Sequence, residues 1–192
     1  MKTNKTSYKS AVRPALATAF ILLLSLLAMQ ITDEVVWSLS HFVIFAALLF
    51  GTGFTYQLVV RKMGSVAYKF AVGLALASAF ILVWLMGAVG VIGVEGDPFD
   101  LIYFGVILIG IVGAIIARFQ PQGMARAMLV TAFAQALVIV IALMAGKHHS
   151  PVSSVAEIVL LNGFFVVLLQ GSAKLFQNAA REQPNAVAGE AD

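Results

Sequence analysis

The sequence predicts an all-α polytopic membrane protein, a bundle of about six transmembrane helices with both termini on the cytoplasmic side. Three observations carry that expectation. Hydrophobic residues make up 61% of the chain and charged residues only 11%, whereas a soluble domain carries roughly 25% charged residues. The apolar residues fall in long unbroken runs. The charges left between those runs are sorted onto alternate connectors.

A helix that crosses about 30 Å of hydrocarbon needs roughly 20 predominantly apolar residues. Six stretches meet that need, at about 14–31, 35–60, 66–92, 101–117, 127–145 and 155–174. Together they form a single transmembrane domain over 14–174, preceded by a basic N-terminus (1–13) and followed by a cytoplasmic tail (175–192) expected to be disordered from about 181. Runs of this length exclude porin-type strands, which alternate apolar and polar residues over about ten positions. The first stretch also has the basic n-region and apolar core of a secretory signal. No A-x-A-like site follows it and Ala28-Met29-Gln30 is a poor cleavage context, so a retained helix is expected.

The connectors carry turn and cap chemistry. Thr32-Asp33-Glu34 offers an N-cap and first-turn acids to the second helix. Gly96-Asp97-Pro98 reads as turn, cap and first-turn proline, with Asp100 in the opening turn of the fourth. Gln120-Pro121-Gln122-Gly123 reads as a turn, and Ser154 with Glu157 as a capping box opening the sixth helix. Eleven of the twelve lysines and arginines fall on one set of connectors, leaving only Lys147 on the other. Six of the nine acids lie opposite: Asp33, Glu34, Glu95, Asp97, Asp100 and Glu157. Basic connectors stay in the cytoplasm, which places both termini inside. Trp37 and Tyr103 fit an outer aromatic belt, and Tyr56 and Tyr68 an inner one.

Composition also bounds the partners. A net charge of +3 and a pI near 9.3 would suggest nucleic acid for a soluble protein. Here the excess is accounted for by one membrane face, so the expected partners are the lipid bilayer and a homo-oligomer or membrane-protein partner, and no nucleic acid. With no cysteine, disulfides, thiolate metal sites and CxxCH haem attachment are excluded. No GxSxG, Walker A or GxGxxG motif occurs. No catalytic residue, cofactor or metal is expected.

Ionisable and amide residues within spans are the remaining candidates for function. His41 lies about 9 Å and Asn162 about 10 Å below the outer ends of their spans at 1.5 Å per residue, so the two are expected at one level. Gln135 lies near the middle of the fifth span. Either these residues bond neighbouring helices together, or His41 and Asn162 line an outward-facing polar cavity; helix bonding is the preferred reading, since such contacts are common in membrane bundles. The outer acids Glu95, Asp97 and Asp100 lack the twelve-residue calcium-loop pattern and read as helix-terminus electrostatics. His148-His149 read as a solvated turn rather than a metal site. Gly87, Gly90 and Gly93 on the third span, with Gly105, Gly110 and Gly113 on the fourth, predict close backbone packing of those two helices as a hairpin.

Residues 29–37, 88–95 and 116–127 resemble a group of small uncharacterised bacterial multi-pass inner-membrane proteins, a resemblance that extends from about the first span to the sixth. It implies a bacterial cytoplasmic membrane and no particular activity. The sequence favours a structural or accessory protein over a small transporter or channel, because mid-membrane charge is nearly absent and no inverted repeat is evident.

Overall fold

The computed structural model describes residues 12, 14–23, 39–61, 63–88, 90–92, 97–149 and 153–188. Among them every regular element is helical: α1 (Pro14–Leu23), α2 (Leu39–Val60), α3 (Val66–Ala88), α4 (Ile102–Ile116), α5 (Pro121–Met144) and α6 (Val155–Ala188). Five of these, α2 to α6, are long and apolar enough to cross a membrane once the 3-10 turn Pro98–Leu101 is counted with α4. α1 is apolar but shorter over the described residues. The rest of the first expected span, with Thr32-Asp33-Glu34 and Trp37, lies outside the described residues.

The chain divides into two compact units, 1–61 and 62–192. In the first, Pro14 at the start of α1 sits against Gly53 of α2, its Cβ 2.9 Å from where a Gly53 side chain would begin. Phe50 and Phe54 stack one turn apart, ring centroids 5.8 Å from each other. None of the most apolar window of α2 is buried. A helix that apolar and that uncovered is suited to hydrocarbon rather than to water.

In the second unit α5 and α6 pack on each other, with α3 flanking α6 and α4 flanking α5. The core contains Leu82 from α3, Tyr103 and Val106 from α4, Val138 and Ala142 from α5, and Ile158 and Phe165 from α6. The expected tight α3–α4 hairpin is therefore corrected: the close partner of α4 is α5. The reason lies in the connector. α3 ends at Ala88 rather than at 92, because Gly90 turns left-handed (φ 79°) and its N–H closes on the Leu85 carbonyl at 2.9 Å, a bond type that terminates helices.

The capping reading of Ser154 and Glu157 is met in full. Glu157 N–H donates to Ser154 Oγ at 3.2 Å, and Ser154 N–H donates to Glu157 Oε2 at 2.7 Å. Asp97 caps as expected, accepting from Phe99 N–H at 2.8 Å with Pro98 next in line. Pro121 does not sit in a turn; it is the first residue of α5, so that helix begins six residues earlier than expected. The turn is 117–120, where Arg118 (φ 48°) and Phe119 (φ 59°) are both left-handed. Such strain persists where neighbours hold it, and Tyr68 Oη donates to the Phe119 carbonyl at 2.7 Å. Tyr68 is thus buried, not a belt residue facing lipid.

α6 also runs beyond the expected end of its span at 174, through the start of the expected disordered tail, to Ala188. Ala173, Phe176 and Ala179 are fully buried along one face, and Phe176 meets the Tyr68 ring edge-on at 5.2 Å. Packing of that apolar stripe accounts for the continued helix where polar composition alone suggests a tail.

Candidate functional site

A buried polar node joins α4, α5 and α6. Asn162 Oδ1 accepts two hydrogen bonds, from Tyr103 Oη at 2.8 Å and from Gln135 Nε2 at 2.9 Å. Asn162 Nδ2 donates back to the Ile158 carbonyl one turn earlier in α6, at 2.8 Å. That last bond orients the amide, because a carbonyl can be met only by the NH₂ end. All three side chains are fully shielded from solvent. Gln135 Oε1, by contrast, is buried with no donor among the described residues.

Two of the three amide or imidazole candidates are therefore brought together, Gln135 and Asn162. His41 lies on α2 in the other unit, and its side chain is outside the described residues. Tyr103 is the member that sequence reasoning missed. Placed in the outer aromatic belt by position, it is instead wholly buried. The available signal was that Tyr103 opens α4 close to the level of Asn162, where a long side chain pointing inward can reach it.

The glycines divide by function. A Cβ on Gly113 would lie 2.8 Å from Ala127 Cβ, and one on Gly110 would lie 3.4 Å from Thr131 Oγ1, so both mark close α4–α5 packing. Gly87 and Gly105 meet nothing within 4 Å of that position among the described residues, so the close α4–α5 approach is at Gly110 and Gly113. Gly90 terminates α3 through its left-handed backbone. Gly93 lies outside the described residues.

At one end of the second unit the connectors are clasped by charge. Both oxygens of Asp100, a residue only 5% exposed, accept backbone N–H groups, from Val91 at 2.8 Å and Ile92 at 3.1 Å. These amides follow the end of α3, outside its ladder of helical hydrogen bonds. Asp97 receives the Lys147 ammonium at 2.7 and 2.9 Å. Those bonds, with that from Phe99 N–H, hold the Asp97 carboxyl below the usual carboxylate range. Two of the three outer acids are thus engaged by the protein itself, and Glu95 lies outside the described residues. Among the described residues no group of three or more His, Asp or Glu is gathered for a metal ion. The other end of the unit is marked by the Tyr68–Phe119 bond and by Ser65 Oγ donating to Glu182 at 2.6 Å.

The arrangement defines a helical protein with segments suited to a bilayer and a polar contact between three of its helices. Comparison with protein-family models, curated proteins and solved structures finds no match.

Proposed function

We propose that this chain is a multi-pass protein of a bacterial cytoplasmic membrane, with both termini inside, acting as a structural or accessory subunit rather than as an enzyme. The observation that carries the reading is the Tyr103–Gln135–Asn162 node. Its three side chains bond to one another across three helices and are shielded from solvent. In membrane bundles such groups act as inter-helix bonds of about 0.6 kcal/mol each. A translocation path needs polar groups that face water or solute instead. The sorted charges and the resemblance to small inner-membrane proteins support the location and orientation.

Cysteine substitution tests this in a chain that has none of its own. Cys in place of Asn162 should resist a membrane-impermeant maleimide in intact cells, with Cys in place of Asp97 as the accessible control. Labelling at 162 as fast as at 97 would defeat the reading. A second reading, a small transporter or channel with an outward-facing polar cavity, draws on one observation: the Gln135 acceptor lacks a donor, which a solute or water could supply. Rapid labelling at 162 would bring that reading forward.

A further inference from the structure

The furrow between α4 and α5 is a groove of about 670 Å³ lined by these two helices and the turn between them. Its floor is made of small residues. Gly113 meets Ala127, and Gly123 meets Ala117, each at 2.8 Å from the position a Cβ would take. Without side chains there, the furrow is deep. Its walls include Leu108, Val112, Ile116 and Val130, which are between 44% and 76% exposed. Arg126 is the one polar side chain in the lining. It is exposed and makes no ion pair or hydrogen bond with the described residues, while Arg118 stands in the adjoining α4–α5 turn, equally exposed and unpaired.

We propose that this groove binds an anionic phospholipid, with an acyl chain lying between α4 and α5 and the phosphate held by Arg126. Two features select that occupant. From Leu108 to Ile116 the groove is about 12 Å long at 1.5 Å per residue, close to the roughly 15 Å of hydrocarbon in one leaflet. Its charged end is the connector end of both helices, where a headgroup lies when a chain occupies the furrow. A zwitterionic headgroup brings its own cation to compete with the arginine; an anionic one does not. The pairing resembles the basic sites that recognise lipid headgroups at membrane-protein surfaces. The proposal goes beyond an accessory role and depends only on the chain residing in a bilayer.

The test is electron spin resonance of the full-length protein in phosphatidylcholine vesicles containing spin-labelled phosphatidylglycerol or spin-labelled phosphatidylcholine. The wild type should immobilise phosphatidylglycerol in preference, and Arg126→Gln should reduce that preference about fivefold, the change expected for one cation near an anionic headgroup. Arg126→Lys should retain most of it. Val112→Trp, which fills the groove from an exposed wall and leaves the charge in place, should release the immobilised lipid. Arg126 has no partner to lose among the described residues, so its variants should melt like the wild type. Equal immobilisation of the two lipids by the wild type, or an Arg126→Gln variant with unchanged preference, would overturn the proposal. Displacement of phosphatidylglycerol by soluble glycerol phosphate at equal concentration would remove the chain from it. A dimer abolished by Val112→Trp, without lipid preference, would assign the groove to a second copy. Absence of the protein from the vesicle fraction would instead remove the membrane reading, a failure separable from loss of lipid preference in protein that does incorporate.

Discussion

Asn162 accepts from two helices with one oxygen, so its removal and the removal of a donor are not equivalent. Asn162→Ala strands Tyr103 Oη and Gln135 Nε2 in a buried site. Leaving buried donors unpaired costs about 1–3 kcal/mol. Tyr103→Phe removes a single donor and leaves Asn162 bonded to Gln135, a loss of about 0.6–1 kcal/mol. Thermal unfolding in detergent should place Asn162→Ala well below Tyr103→Phe; equal shifts would show that the two donors do not depend on the shared acceptor. Asp97 makes a different kind of contribution. Because the folded protein holds its carboxyl below the usual range, its stabilisation is fully present above the unfolded value of about 3.9 and is lost as pH falls through the lower folded value. The Lys147 and Asp97 side chains are 27% and 18% exposed, and a pair partly open to solvent contributes at most about 1 kcal/mol. Asp97→Asn should lower the melting temperature slightly at pH 7. That deficit should close as the wild type is titrated below about pH 3.9, and should shrink in high salt. A deficit that persists in acid would count against the ion pair.

Among the elements, the α4–α5 contact depends on individual glycines rather than on glycine content. Gly113→Ala puts a methyl group against Ala127 and forces two backbones apart, an overpacking cost of about 1–3 kcal/mol. Gly105→Ala enters open space on the same helix, and alanine is the better helix former by about 0.5–1 kcal/mol. The first variant should melt lower than the wild type and the second no lower. A fall for both would mean that the Gly105 face is also covered. Gly90→Ala should destabilise for a third reason, because its left-handed backbone (φ 79°) disfavours any side chain, at a cost of about 1–2 kcal/mol. Helix ends follow the same logic. Gly90 is visible in the sequence as one glycine among several, but its role as the stop of α3 depends on the local backbone and on Asp100 receiving the amides that follow.

For the molecule as a whole, the described contacts gather the connectors of the second unit at two ends. Tyr68–Phe119 and Ser65–Glu182 mark one; Asp100–Val91 and Asp97–Lys147 mark the other. The first end carries the basic connectors and the second the acidic ones, which is the pattern a cytoplasmic and an external face would require. A periplasm-active reporter fused after Gly96 or after Ser150 should be active, and one fused after Gly64 or at the C-terminus should not. An active C-terminal fusion would overturn the proposed orientation.

By itself the sequence determined the helical class, the apolar segments, the Ser154–Glu157 capping box and the Asp97 cap, and it singled out Gln135 and Asn162, alongside His41, as candidate helix contacts. Each of these is written in neighbouring residues: apolar run length, the reach of a side chain to its own helix terminus, or an amide in a hydrocarbon-like stretch. Tertiary structure decided that α4 packs on α5, that Tyr103 completes the node, that Asp100 folds back onto the end of α3 and that α6 continues past 174. These contacts join residues as far apart as Tyr103 and Asn162, or Tyr68 and Phe176. A run of leucine, valine and isoleucine is nearly as apolar on every face, so its pattern does not say which neighbour it will meet. That choice is made where small residues permit close approach and where a buried polar group finds its partner.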